Sequence, residues 1–219
     1  MKSQFDDYIR NKSVAVVGPA YYVTMFDNKE YIESFDIVMR FNDILPIHRD
    51  MIKHIGSRTD ILCNGLDGSP NSCGKYNSSL WKNSGVEWVF CPYTVESRNQ
   101  SKFVKMFKRH NNNLLKFYAS DFESFNKVSK SMKTFPNSGL LGLMYLINNN
   151  VGNVFLTGFS FGKGGYSHHK GYKDHLLNRD RSSGIHNQAE QLEYFKKQYK
   201  IYKNIEVDSY LKKILEGEV

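Results

Sequence analysis

With 219 residues, 40% of them hydrophobic and 14% aromatic, the chain is long enough for one domain with a sizeable core and too apolar to be disordered. No apolar run approaches the roughly 20 residues that span a bilayer, and the opening MKSQFDDYIRNKS is too acidic and too polar for a signal peptide. The formal net charge of +8 would attract an anionic substrate or an acidic membrane surface, but no DNA- or RNA-binding motif accompanies it, so nucleic acid is not expected as a partner.

In chain order, Val14-Ala15-Val16-Val17-Gly18 is an apolar strand ending in glycine, the usual opening of a doubly wound α/β sheet. The dinucleotide fingerprint does not follow: Gly18-Pro19-Ala20-Tyr21-Tyr22 lacks its second and third glycines, and the chain has no GKS or GKT triplet. Neither NAD nor ATP is therefore expected. Lys29–Ser34 reads as a short helix and Asp36–Arg40 as a second strand ending at Phe41-Asn42. A turn at Gly56-Ser57-Arg58-Thr59 leads into a third strand, Asp60–Cys63, ending at Asn64. Gly65–Tyr76, rich in Gly, Ser, Asn and Pro, reads as a loop, and Trp88–Cys91 as a fourth strand closed by Pro92. Ser101–Arg109 is helical, with Lys102, Lys105, Lys108 and Arg109 forming a solvated face around Phe103, Met106 and Phe107. Leu114–Tyr118 reads as a fifth strand and Asp121–Lys130 as another helix. The cysteines, Cys63, Cys73 and Cys91, lack CxxC spacing, which predicts neither a zinc site nor a disulfide framework and fits a reducing cytoplasm.

The stretch PNSGLLGLMYLINNNVGNVFLTGFSF, Pro136–Phe161, carries the clearest local signals. Asn137 and Ser138 are helix caps, and Gly139 permits close approach of another backbone or a ligand. Leu140, Leu141, Leu143, Met144, Leu146 and Ile147 make a helix that is apolar nearly all round, hence buried. Val154-Phe155-Leu156 is a buried-type strand, ended by Gly158. A helix N-terminus bearing a hydroxyl and a glycine is suited to an anion, because its free N–H groups and dipole favour negative charge. Alternating strands and helices predict a mainly parallel, Rossmann-like sheet covered on both faces, with ligands beyond the carboxyl ends of its strands. Those ends carry Gly18, Asn42, Asn64 and Gly158, a polar set of nucleotide size.

Beyond Gly158 lies a basic, glycine-rich loop, and His168, His169, His175 and His186 fall in it or just after it. Adjacent histidines seldom face one ion, and neither an HExxH helix nor a DxD pair is present, so no metal or other cofactor is expected. Acid–base chemistry is the functional alternative: a histidine, ordinarily titrating near ~6.5, can take a proton from a sugar hydroxyl. His186 precedes an amphipathic helix with Leu192, Phe195, Tyr199 and Tyr202 along one face; Ile205-Glu206-Val207 reads as an edge strand and Tyr210–Leu215 as a closing helix.

These segments resemble the sialyltransferases, both glycosyltransferase family 29 and the related bacterial family. VAVVGPA…SFDIVMRFND is similar to their long nucleotide motif, a strand ending in glycine followed by D-x-V-x-R-x-N; GSRTDI resembles the animal-type G-S-(K/R)-T segment. PNSGLLGLMYLI…VFLTGF is similar to the small motif, and SGIHNQAE to the terminal motif with its catalytic histidine. The segments keep the family's order from Val14 to about Tyr202. The resemblance implies a single α/β/α domain of GT-A-like sialyltransferase type, using a CMP-activated acidic sugar (sialic acid or Kdo) and a glycan or lipid-linked glycan acceptor, without metal and with inversion. It implies that Gly18, Ala20, Asn42, Asn64, Gly158, Phe159 and Ser160 line the nucleotide or donor site. It further implies that Ser138 and Gly139 hold the donor's phosphate and carboxylate, that His168 meets the leaving phosphate, and that His186 is the general base. Pro19 replaces the asparagine usual after the first glycine, Ser160 stands where bacterial members often have aspartate, and the glutamate after His186 is Glu190. Ser13 sits where animal members have a disulfide cysteine, which points to a cytoplasmic microbial or viral enzyme, in peripheral contact with an acidic membrane if anywhere near one. Two rivals stay open, a catalytically dead nucleotide- or glycan-binding homologue and a transferase for another nucleotide sugar, as does the oligomeric state.

Overall fold

The computed structural model describes residues 3–70, 72–96, 99–163 and 186–219. Its strands are β1 (Val14–Val17), β2 (Ile37–Phe41), β3 (Ile61–Cys63), β4 (Trp88–Cys91), β5 (Lys116–Ala119), β6 (Val154–Thr157) and β7 (Ile205–Val207). They form one sheet in the order β5-β4-β3-β2-β1-β6-β7, and every adjacent pair is parallel. The chain walks outward from β1 to β5 and then returns to the other side of β1. This places the topological switch between β1 and β6, where α/β sheets open a crevice beyond their strand ends. The expected parallel α/β sheet is thus present.

The helices are α1 (Gln4–Ile9), α2 (Lys29–Glu33), α3 (Ile52–Ile55), α4 (Ser78–Asn83), α5 (Gln100–Asn111), α6 (Phe122–Ser129), α7 (Ser138–Asn148), α8 (Gln188–Ile201) and α9 (Ser209–Glu216). One face of the sheet, through Val14, Val16, Met39, Phe90 and Leu156, packs against α1, α6, α7, α8 and α9. The other, through Ala15, Val38, Phe155, Leu62 and Val89, packs against α2, α3, α4, α5 and the short 3₁₀ turn Tyr21–Met25. α7 lies at the centre of the first layer: Leu140, Leu141, Leu143, Met144, Leu146 and Ile147 are all buried, each contributing about 1.5–3 kcal/mol relative to exposure.

Several elements depart from the pattern reading. The polar N-terminus is a helix, α1, closed by a Ser3–Asp6 capping box, and its Phe5 and Ile9 are fully buried. Phe5 stacks on Phe90 and Tyr118 at centroid distances of 4.9 and 5.2 Å, contacts that a six-residue polar segment does not advertise. On α5 the lysine face is exposed as expected, but Met106 joins it, and Val104 and Phe107 turn inward. β5 starts later than expected because Asn111 clamps Leu115 in a turn, its side chain bonding both the Leu115 N–H (3.1 Å) and its carbonyl (2.8 Å).

The long motif divides its labour. Asp36 accepts from the N–H and hydroxyl of Ser13 at 2.8 and 2.9 Å, tying β2 to the start of β1. Arg40 is fully buried with no carboxylate bonded to it among the described residues; it donates to the carbonyls of Arg58 (3.1 Å), Gly56 (3.3 Å) and Ile55. Loss of water lowers its guanidinium to about 10. Arg58 in turn bonds Asp60 (2.9 Å) and the carbonyls of Glu33 (2.8 Å) and Phe35. Asp36 and Arg58, and Arg40 through its side chain, therefore brace the strand entrances, while Asn42, with Asp43 beside it, follows the carboxyl end of β2.

Candidate functional site

At the switch point β1 and β6 end in mutual contact. A methyl carbon added to Gly18 would lie 2.3 Å from the Gly158 carbonyl oxygen, and one added to Gly158 would lie 2.3 Å from that of Gly18, so only two glycines fit. Gly158 also has φ +74°, a left-handed conformation. Hydrogen bonds from Gly18 N–H to Thr157 (2.8 Å) and from Ala20 N–H to Gly158 (2.9 Å) close the seam, and leave Ala20 buried behind it. The next N–H groups are taken by a residue the motifs did not mark. The Tyr22 hydroxyl accepts from Gly158 N–H (2.8 Å) and Phe159 N–H (3.1 Å) while donating to Asp208 (2.8 Å), the N-cap of α9. Burial and the Asp208 carboxylate raise the phenol well above its usual range, so it stays protonated. Gly158 and Phe159 can therefore offer a ligand their surface but not these two N–H groups.

Across the crevice stands the N-terminus of α7. The Asn137 side chain caps it by accepting from Leu140 N–H at 2.8 Å, and among the described residues the Ser138 and Gly139 N–H groups have no acceptor. A Cβ on Gly139 would touch the Phe159 ring at 3.2 Å, so the β6 turn and the helix start form one wall. The Ser138 hydroxyl lies 3.1 Å from that of Tyr93, and when Tyr93 donates, the Ser138 proton is free for an anion. Behind the helix start Gln191 is fully buried; its Oε1 accepts from Asn137 N–H at 3.2 Å, and its Nε2 has no partner among the described residues.

The two asparagines have different surroundings. Asn42, at φ +53°, accepts weakly from Gly65 N–H (3.4 Å) and keeps its Nδ2 unpartnered among the described residues. Gly65 in turn lies against Ser138, whose hydroxyl would be 3.3 Å from an added Cβ. Asn64, 1% exposed, is spent on its own loop: its Nδ2 donates to Cys73 carbonyl and its Oδ1 accepts from Leu66 N–H, both at 2.8 Å. Ser160 is half-buried just past the turn, its carbonyl accepting from Lys163. Asp43, beside Asn42, has its carboxyl pushed above the usual range by burial. The cysteines are free and buried, and burial raises all three thiols.

His186 is tied to Phe135, three residues before Ser138. Its Nδ1 lies 2.7 Å from the Phe135 carbonyl, which can only accept. Nδ1 therefore carries the proton, and in the neutral ring Nε2 holds the lone pair of a base. The segment is strapped down by Glu190, which accepts from Lys133 N–H (2.6 Å), Thr134 N–H (3.0 Å) and Thr134 hydroxyl (2.5 Å), bonds that hold its carboxyl below its usual range. His168, His169 and His175 lie outside the described residues. Among the described residues no three His, Cys, Asp or Glu side chains cluster as a metal site would require, and no helix is long and apolar enough to cross a membrane.

Contacts thus run from Gly18 to Gly158 and Phe159, from Phe159 to Gly139, and from Ser138 through Gly65 to Asn42, with Ala20 buried behind the first of them. Comparison with solved structures identifies the fold. A mammalian sialyltransferase in complex with Gal-β-1-3GalNAc-ortho-nitrophenol aligns over 93% of this chain and 71% of its own, with a TM-score of 0.58 and 14% identity. The monofunctional α-2,3-sialyltransferase Cst-I from Campylobacter jejuni aligns over 94% and 77%, with a TM-score of 0.58 and 15% identity. The chain has the sialyltransferase fold. No family model matches it, and no curated protein matches it in sequence. Within that fold, Tyr22, Tyr93, Phe135, Gln191 and Asp208 are supports around these residues that motif reading passed over, and Glu190, which the terminal motif did mark, braces the segment. Each is an ordinary residue locally and acquires its role from a partner elsewhere in the chain.

Proposed function

We propose that the chain is an inverting glycosyltransferase that moves a CMP-activated acidic sugar, sialic acid or Kdo, to a hydroxyl of a glycan. The observation that carries this is the juxtaposition of an open helix N-terminus and an oriented base: Ser138 and Gly139 begin α7, and Phe135, three residues earlier, holds His186 through its carbonyl. In this reading the Ser138 hydroxyl and the free N–H groups of Ser138 and Gly139 take the phosphate of CMP, aided by the helix dipole. Asn42 meets the nucleoside through its spare Nδ2, with Gly18, Ala20, Gly158, Phe159 and Ser160 as the floor beneath it. Asn64 shapes that floor through its loop.

His186 Nε2 takes the acceptor hydroxyl proton as the acceptor oxygen attacks the anomeric carbon from the face opposite the phosphate. The bond from that carbon to the phosphate oxygen breaks, CMP leaves with the electron pair, and the configuration inverts. His168 would be a second donor to the phosphate. Stabilisation of the departing phosphate by preorganised N–H and O–H donors supplies the electrostatic part of catalysis without a metal. The fold shared with enzymes named as sialyltransferases, one of them solved with a β-galactoside, supports this choice of donor and acceptor.

The test is calorimetric titration of CMP, UDP and GDP into the full chain, with and without EDTA. Selective, EDTA-insensitive binding of CMP, followed by turnover of CMP-sialic acid or CMP-Kdo, is expected; preference for UDP or GDP would refute the donor assignment. A second reading, a nucleotide binder without turnover, has specific support. Pro19 lacks an N–H, and Tyr22 occupies the N–H groups of Gly158 and Phe159. CMP binding with no transfer from either sugar would favour it.

A further inference from the structure

α5 carries two opposed stripes. Gln100, Val104, Phe107 and Asn111 are buried, while Lys102, Lys105, Met106 and Arg109, at the one-sided spacing i, i+3, i+4 and i+7, are all exposed. From Ser97 to Ser120 the sequence carries Arg98, Lys102, Lys105, Lys108, Arg109 and Lys116 and no aspartate or glutamate, although the whole chain has 22 acidic residues. Lys108 lies over the Phe117 ring at 5.7 Å and Lys116 pairs with Glu87 at 2.7 Å. Among the described residues Lys102, Lys105 and Arg109 form no ion pair. Met106, 37% exposed, stands among these three cations, and Leu114, just past the helix, is 42% exposed. α8 also exposes Lys197 and Lys200, but Glu193 shares their side of the helix at i, i+4 and i+7, so its signs are mixed.

We propose that this side of α5 docks the protein on an anionic lipid bilayer, with Met106 entering the headgroup layer between Lys102, Lys105 and Arg109. The inference goes beyond the transferase reading and does not depend on it. Like charges at i, i+3 and i, i+4 repel one another along the helix, and an acidic surface opposite them relieves that repulsion. Each cation near an acidic bilayer adds about fivefold to affinity, an attraction that fades within a Debye length. The methionine decides the kind of partner. The phosphates of a nucleic acid would satisfy the cations but not Met106, and this stripe has neither an aromatic ring to stack on bases nor an amide to read them. At a bilayer the thioether chain leaves water at the boundary of headgroups and acyl chains, while the lysine and arginine stems lie alongside with their charged ends at the lipid phosphates. The docked helix is also anchored to the crevice wall, because Gln100 in its first turn donates to the Gly65 carbonyl at 3.0 Å and Gly65 adjoins Ser138.

The test is co-sedimentation of the full chain with vesicles of phosphatidylcholine alone or mixed equally with phosphatidylglycerol. Wild type is expected to sediment with the mixed vesicles only and to be released as salt is raised. The triple variant Lys102→Glu/Lys105→Glu/Arg109→Glu should bind at least roughly a hundredfold more weakly. Lys197→Glu/Lys200→Glu/Lys203→Glu makes the same change in net charge elsewhere and should keep most of the binding. Met106→Trp reads contact with the lipid: Trp81 and Trp88 are buried, so a blue shift of emission on the mixed vesicles comes from position 106. Circular-dichroism melts and CMP titrations of all three variants should match wild type, since the altered side chains are exposed and away from the crevice. The proposal is overturned by absence of sedimentation with the mixed vesicles, by equal loss in the two triple variants, or by no blue shift in Met106→Trp. Tighter binding to single-stranded DNA than to the mixed vesicles would also overturn it and make nucleic acid the partner. If the vesicle results hold but CMP does not bind, the donor reading fails and the docking surface stands; if CMP binds and the vesicles do not, the docking surface fails alone.

Discussion

Replacing Gly18 by alanine would put a methyl carbon 2.3 Å from the Gly158 carbonyl oxygen and 2.8 Å from both the Gly158 carbonyl carbon and the Phe159 ring. Non-bonded carbon and oxygen rarely approach within about 3 Å, so the ends of β1 and β6 must part by roughly 1 Å. That displacement takes the Gly18–Thr157 and Ala20–Gly158 hydrogen bonds, now 2.8 and 2.9 Å, out of range. Two net hydrogen bonds at about 1 kcal/mol each, plus overpacking of about 1–3 kcal/mol, give a loss of about 3–5 kcal/mol. For a chain of this size that corresponds to a fall of roughly 6–20 °C in Tm. Gly85→Ala is the control: Gly85 has φ +89°, and its nearest neighbour to an added Cβ is Thr59 carbonyl oxygen at 3.9 Å, so only the left-handed backbone is penalised, by about 1–2 kcal/mol. Gly158→Ala combines both penalties and should be the worst of the three. Urea unfolding monitored by circular dichroism measures the order, and a CMP titration reads the effect on the crevice. A Gly18→Ala protein within about 1 kcal/mol of wild type, or one no worse than Gly85→Ala, would refute the argument from close approach.

Three further outcomes are expected. Tyr22→Phe keeps the stack on Tyr210 (4.4 Å) but strands the N–H groups of Gly158 and Phe159 beside Asp208, costing about 2–4 kcal/mol in urea unfolding. His186→Ala should lower transfer from the CMP-sugar by about 10²–10⁴-fold while leaving CMP affinity unchanged, as measured by initial rates and calorimetry. Glu190→Gln addresses pH: the folded-state carboxyl titrates below its unfolded value, so its contribution is present above the unfolded pKa and is lost as pH falls through the folded one. Thermal melts between about pH 5 and pH 3 should therefore fall less steeply in Glu190→Gln than in wild type.

The central stretch was legible because its signals are local. A cap at Asn137, an apolar helix and a strand ending in Gly158 follow from residues a few positions apart, and they occur where expected. The same holds for the glycine at the end of β1 and for the alternation that makes a parallel sheet. α1 was not legible, since only two of its six residues, Phe5 and Ile9, are buried, and Phe5 meets aromatics on β4 and β5. Asn64 and Asn42 looked equivalent as strand-end asparagines. The loop that folds back on Asn64 through Cys73 separates them, leaving an amide donor open only at Asn42.

Local pattern by itself determined the run of strands, the longer helices between them, the buried character of α7 and the polar chemistry of the strand ends, because backbone propensity and side-chain periodicity act over one or two turns of chain. Tertiary structure alone decided which N–H groups at the start of α7 keep no acceptor among the described residues and which nitrogen of His186 bears the proton. Those outcomes depend on hydrogen-bond partners far apart in the chain, as Tyr22 is from Asp208, 186 positions away, and His186 from Phe135, 51 positions away. The buried donor that finds such a partner is withdrawn from function, and the one that does not is left for the ligand.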